Sequence, residues 1–183
     1  DVCGSDRIYH YRNKAQYPVD VQNGELVAGF YAYKSHRIVP CNSCLLQPEE
    51  FSLCIDAFSK WAKESGVTSY DEKTGKGLLR HIYLRKAVAT GEIMACAVIN
   101  GNSLPNENLL VELISRIDGV CSVCVNINKN DTNVILGDQT KIIYGKEYIT
   151  DILLGKKFVI SPNSFYQVNH NQCEKLYSIA GKY

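Results

Sequence analysis

The sequence predicts an α+β fold: a mostly antiparallel sheet with two ββα units and their helices on one face. Three observations carry that expectation. Stretches of period-2 alternation come in pairs joined by turn residues. Each of the first two pairs is followed by a stretch of helical periodicity, and the chain then returns to strand signals up to about residue 160. With 183 residues, 45% of them hydrophobic and 21% charged, the chain has the composition of one folded domain, or one domain plus a piece of another.

Taken in order, Ala15, Tyr17, Val19 and Val21 alternate with Lys14, Gln16, Pro18 and Asp20, the pattern of a half-buried strand. Pro18 has no N–H for a ladder, which moves that strand toward a sheet edge. Asn23-Gly24 is a hairpin signal because both residues tolerate positive φ. The return strand sets Leu26, Ala28, Phe30 and Ala32 on one face. From Pro48 to Gly66 the period changes: Phe51, Cys54, Ile55, Phe58, Trp61 and Ala62 form one helical stripe. Glu49 and Glu50 open this helix, Lys60 and Lys63 close it, and Gly66 serves as its stop. Strands follow at about residues 79–86 and 92–100, with Thr90-Gly91 as the turn. A second helix begins between Ser103 and Asn106, buries Leu109, Leu110, Leu113, Ile114 and Ile117, and stops at Gly119. Residues 121–128 alternate as a strand, and further strand signals run from Val134 to Ile160. A turn at Ser161-Pro162-Asn163 then leads to a last amphipathic segment containing Leu176 and Ile179.

The formal charge of +1 gives no global basic footprint, so any nucleic-acid surface has to be local. No apolar run approaches the 18 or so residues of a membrane span, and the opening residues lack the pattern of a signal peptide. The eight cysteines suit packing as reduced thiols in the cytoplasm better than a disulfide framework in a chain this long. Cys121 and Cys124 have zinc-knuckle spacing, yet they fall within a strand, where residues three apart face opposite ways. The histidines, His10, His36, His81 and His170, lie in four separate segments without ligand spacing.

Two patterns remain with chemistry in them. Arg12 and Lys14 share one face of the first strand, with Lys34, His36 and Arg37 on the return side. Such a strip suits a phosphate backbone, and equally a solvated strand face. Phe165 and Gln167, two residues apart in extended chain, point the same way. An aromatic face with an amide suits a flipped base; the amide also suits capping of the following helix.

The run Ile160-Ser161-Pro162-Asn163-Ser164-Phe165-Tyr166-Gln167-Val168-Asn169 resembles the Ser-Pro-x-Ser-Phe-x-Gln-Val-Asn motif of RNA uracil-5-methyltransferases, in particular the 23S ribosomal RNA type. Tyr11-Arg12-Asn13-Lys14-Ala15-Gln16 resembles the opening strand of that family's central domain, and Thr132–Gly137 supplies a third anchor. The resemblance covers most of the chain, from about Tyr11 onward. It implies a piece of an S-adenosyl-L-methionine-dependent enzyme that makes 5-methyluridine in ribosomal RNA, or alternatively transfer RNA. Residues 1–160 would form the central RNA-binding domain. Residues 161–183 would be the linker and first helix of a Rossmann-like methyltransferase domain that this chain does not complete. Phe165, Gln167, Arg12 and Lys14 would contact substrate, Gln167 also the cofactor. The family's catalytic Cys and general base lie beyond these segments, so the resemblance implies no catalytic residue here and no activity of the 183 residues alone. Cys44 matches the last of four iron–sulfur ligands, but the other three are not in this sequence. The alternative is a stand-alone RNA-binding or structural module with no enzymatic role.

Overall fold

The computed structural model describes residues 2–23 and 25–182. Seven strands make one sheet in the order β3-β2-β1-β4-β5-β6-β7: β1 Lys14–Gln22, β2 Glu25–Tyr31, β3 Ile38–Pro40, β4 Leu79–Lys86, β5 Ile93–Ile99, β6 Val120–Ile127 and β7 Gln139–Gly145. Helices α1 (Glu50–Ser65) and α2 (Glu107–Ser115) pack on one face. A separate hairpin, β8 (Ile149–Leu153) with β9 (Lys156–Ile160), packs on the other, and α3 spans His170–Ala180. The sheet is antiparallel except between β5 and β6, which run parallel with α2 as their crossover. The short β3 intervenes before α1, so the order is βββα then ββα; three residues are too few to show a period.

The first helical stripe holds as read. Phe51, Cys54, Ile55, Phe58, Trp61 and Ala62 are all buried, and Gly66 ends α1 with φ 64°, a left-handed cap that costs glycine little. They close over Ala15, Tyr17, Val19, Leu26 and Ala28 of the first hairpin and the inward residues of β4, β5 and β6. Full burial of Phe51, Phe58 and Trp61 is worth roughly 1.5–3 kcal/mol for each large apolar side chain. The second helix starts at the later of the two expected positions, with Asn106 as its cap residue in the left-handed region. Only Leu110 and Ile114 are fully buried; Leu109, Leu113 and Ile117 pack at the margin.

Four expectations need correction. Pro18 does not put β1 at an edge, since β1 lies between β2 and β4. Its pairing is divided instead: Lys14 to Pro18 pair with β4, and Val19 to Gln22 pair with β2. Pro18 stands where one ladder hands over to the other, a place where the missing N–H costs little. In the first hairpin, Val21 and Phe30 are partly exposed rather than buried, because α1 covers only its middle. Asn23 has the expected positive φ of 54°; its partner Gly24 lies outside the described residues. Residues 134–137 form a loop rather than a strand. Asn126 Nδ2 donates to Gly137 O at 2.9 Å, and Asn128 Nδ2 to Val134 O and Ile135 O at 2.7 and 3.0 Å, so side chains replace a ladder there.

The fourth correction concerns Cys121. The β5–β6 register slips between Ile93/Val120 and Met94/Ser122, a bulge that leaves Cys121 without a partner on β5. The extra residue packs Cys121 against the same cluster that buries Cys124, so the two are not splayed as strict alternation requires. Gly145 makes room: with φ 71° it sits where a Cβ would lie 2.0 Å from Cys121 O.

Candidate functional site

The helix-free face of the sheet is where polar chemistry collects. Lys14 is in register with Arg85, Gln16 with Tyr83 and Pro18 with His81, so these side chains share one face. Arg85 is 3% exposed, and its Nη1 donates to Ser161 O at 2.8 Å, Pro162 O at 3.3 Å and Ser164 O at 2.7 Å. Tyr83 Oη donates to Pro162 O at 2.9 Å. Ser164 Oγ accepts from Ser161 N at 3.0 Å, closing the turn on itself. A buried guanidinium needs acceptors, and these carbonyls of the Ser161–Ser164 turn need donors; each satisfies the other.

The next residues are fixed in alternation. Tyr166 turns inward, its ring packed at a tilt against Phe158 with centroids 5.9 Å apart, and donates to Asp151 Oδ2 at 3.1 Å. Burial first, then the Asp151 carboxylate, pushes the Tyr166 phenol up from its ordinary pKa, so it stays a donor. Asp151 is fully buried and accepts also from Val88 N, Ala89 N and Ile152 N, with His170 Nδ1 at 3.1 Å. Asn13 holds the other end of the segment: its N–H donates to Val168 O at 2.9 Å and its Nδ2 to Gln167 O at 3.0 Å. With the backbone held so, Phe165 projects into solvent at 86% exposure.

The capping alternative for Gln167 is overturned. The cap of α3 is Asn169, whose side chain accepts from Gln172 N at 3.1 Å. The Gln167 amide group makes no hydrogen bond among the described residues, while its carbonyl is used.

Arg12 and Lys14 belong to this site. Arg12 bridges to Asn169, the last residue of the motif, and Lys14 stands beside Arg85. Burial, then the Arg85 and Arg12 guanidinium groups, pushes the Lys14 ammonium below its usual pKa. Burial is the main cause, and the neighbouring like charges add to it. None of the three cations has an ion pair among the described residues. Beside them a cavity of about 320 Å³ opens between the N-terminal segment, the start of α1 and the start of α3, lined by His10, Asn13, Glu50, Lys86 and His170. Lys86 Nζ donates to Glu50 Oε1 at 2.5 Å on its wall.

The arrangement can bind and orient. All eight cysteines are free. Burial pushes the Cys54 thiol up to about 12 and also raises Cys41, Cys121 and Cys173, the reverse of a reactive thiolate. Cys44 lies half-buried next to Cys41. Among the described residues no three His, Cys, Asp or Glu side chains are grouped to hold a metal.

Reading the sequence missed Arg85, Tyr83, Asn13 and Asp151. The signal for the first two was available: His81, Tyr83 and Arg85 alternate with Ile82 and Leu84, a polar-aromatic face on a strand that is otherwise core. Asp151 gave none, since its partners come from three distant segments.

No family model matches the chain. Curated relatives do. It is 44% identical over 98% of its length to a protein of Halalkalibacterium halodurans, and 41% identical over its whole length to one of Clostridium tetani; each is named an uncharacterized RNA methyltransferase. Among solved structures, the transfer RNA (uracil-54, C5)-methyltransferase of Pyrococcus abyssi, in complex with S-adenosyl-L-homocysteine, superposes with a TM-score of 0.81. That match covers 97% of this chain and 42% of the archaeal protein at 23% identity, a likeness of fold. No described helix is long and apolar enough to cross a membrane. The chain spans about two fifths of the length of the curated relatives it matches, and over that span it is similar to proteins named RNA methyltransferases.

Proposed function

We propose that this chain is the RNA-contacting portion of an S-adenosyl-L-methionine-dependent methyltransferase that makes 5-methyluridine in RNA. Ribosomal RNA is the favoured substrate, in the cytoplasm, with transfer RNA as the competing one. The observation that carries this is the meeting of Phe165 and Gln167 with Arg12, Lys14 and Arg85 at one end of the helix-free face. Arg12 and Lys14 hold phosphates, the buried Arg85 holds the turn that presents Phe165, the exposed Phe165 ring stacks on the extruded uracil, and the unengaged Gln167 amide reads its polar edge or contacts the cofactor. S-adenosyl-L-methionine supplies the methyl group; of the residues here, only Gln167 is assigned toward it.

On this reading residues 1–160 form the RNA-binding domain and 161–183 lead into the catalytic one. Support comes from α3, whose Leu176, Tyr177 and Ile179 are 57%, 43% and 50% exposed, an apolar side that suits a following domain. The test uses the 183-residue chain and a longer polypeptide carrying it with a methyltransferase domain. The short chain should bind single-stranded RNA in a salt-dependent way and transfer no label from S-adenosyl-L-methionine. The longer one should label unmodified RNA at uracil carbon 5. RNA binding by both without transfer by either would leave a binding module; methyl transfer by the short chain would remove the fragment reading.

A further inference from the structure

We propose that the helix-free face carries a second RNA subsite, a groove that takes one unpaired nucleotide on the same strand as the target base. This rests on the RNA reading above and deepens it. The groove, of about 1160 Å³, lies between the far end of β1, the β2–β3 turn, the Tyr70–Lys73 loop and the start of β4. Its residues include Arg80 and His81, only 6% and 8% exposed. Each leaves a buried nitrogen, Arg80 Nε and His81 Nδ1, with no hydrogen-bond partner. Folded interiors rarely leave such atoms unpaired, and two of the three found among the described side chains belong to residues of this one groove, just beneath its surface.

The walls supply the rest of a nucleotide site. Tyr33 is 89% exposed and Tyr31 42%, two aromatic rings at the mouth. The carboxylates nearby already serve internal donors. Glu72 accepts from Tyr31 Oη at 3.3 Å and faces His36 Nδ1 at 3.0 Å, and Asp71 accepts from Lys73 N and Thr74 Oγ1. Lys34, Arg37 and Lys73 have no ion pair among the described residues. A free anion would make no use of the rings, and an apolar peptide none of the cations. A base with its phosphate uses both, and a neutral imidazole can donate to or accept from its edge.

Continuity with the first site gives the strand a path. Lys14/Arg85, Gln16/Tyr83 and Pro18/His81 are in register on the same face; the β4 members and Pro18 are buried beneath it, and the part-exposed Lys14 and Gln16 with the exposed Asp20 mark its surface along β1. Arg85 holds the motif at one end, and His81 meets the groove at the other. From Lys14 to Asp20 the path is about 20 Å at the rise of a strand.

The experiment is fluorescence anisotropy of the 183-residue chain with labelled single-stranded RNA of roughly 12 nucleotides and of roughly 4. Replacing Tyr33→Ala together with Arg37→Ala should weaken binding of the longer RNA about fivefold to a hundredfold, the range for losing one stacked base. It should also abolish the advantage of the longer RNA over the shorter one. Tyr33→Phe with Arg37 intact should bind as the parent chain does. Both residues are exposed, and unchanged thermal unfolding checks that the fold persists. If the parent chain binds, Arg12→Ala/Lys14→Ala weakens it, and the Tyr33/Arg37 variant changes neither affinity nor length dependence, the groove is not an RNA site while the proposed function stands. If the parent chain shows no salt-dependent binding, the functional reading fails and this subsite with it.

Discussion

The two faces of the seven-stranded sheet are built on different principles. One is closed by α1 and α2 over an apolar interior in which Trp61 Nε1, donating to Pro105 O at 2.9 Å, provides one of the few polar contacts. The other is closed only over β4, β5 and β6, by the β8–β9 hairpin and the motif segment, and around the first hairpin it is left open. What holds the closed half there is a set of charge-assisted hydrogen bonds: Arg85 to three carbonyls, and Asp151 to backbone N–H groups, Tyr166 and His170. The first face is stabilised by area removed from water, which is tolerant of direction. The second depends on geometry, which fixes the turn that presents Phe165.

Deletions on each face should separate these principles. The largest effect is expected from Trp61→Ala, which opens a cavity in the helix-covered core and should cost about 3–5 kcal/mol in chemical denaturation. A change below 1 kcal/mol would mean that α1 is not the main closure of that face. Asp151→Ala should cost nearly as much, on the order of 3 kcal/mol, because it strands several buried donors at once. Unlike the tryptophan change, it should also raise hydrogen exchange at Val88 and Ala89 and free the Tyr166 hydroxyl. Equal exchange in the two variants would erase the distinction drawn here.

His81 gives the helix-free face a pH dependence. Burial first, and Arg80 second, push its pKa down from 6.5 to about 4. Between those values the unfolded chain binds a proton that the folded chain does not, so stability falls as pH drops from about 6.5 toward 4. The loss attributable to this ring is on the order of 3 kcal/mol. His81→Gln should flatten that part of the stability profile; an unchanged profile would show that the ring is not held neutral.

The smallest effect on folding, and the most specific on function, belongs to the exposed tip. Phe165→Ala should leave stability within about 0.5 kcal/mol of the parent chain. RNA affinity should fall by the equivalent of about 1–3 kcal/mol in a filter-binding titration. Arg12→Ala and Lys14→Ala should each lower the salt slope by about one. Affinity and slope both unmoved would return these residues to an ordinary solvated strand.

The sequence by itself determined the helix-covered half. The α1 stripe and the strand pairs flanking it follow from period alone, because an apolar face has only one favourable place to go. It also placed Phe165 and Gln167 on a motif, and Arg12 and Lys14 on a strand, as separate features. Tertiary structure brought their segments side by side. Asn13 and Val168, 155 positions apart in sequence, are joined by a 2.9 Å hydrogen bond, and Arg85 reaches carbonyls nearly eighty residues away. The bulge at Cys121, the handover at Pro18 and the buried Asp151 were likewise settled only in the folded chain. The reason is physical: burial of apolar area acts through a repeating pattern that a short window reveals. A hydrogen bond between distant segments depends on distance and angle, and these exist only once the sheet has brought its strands together.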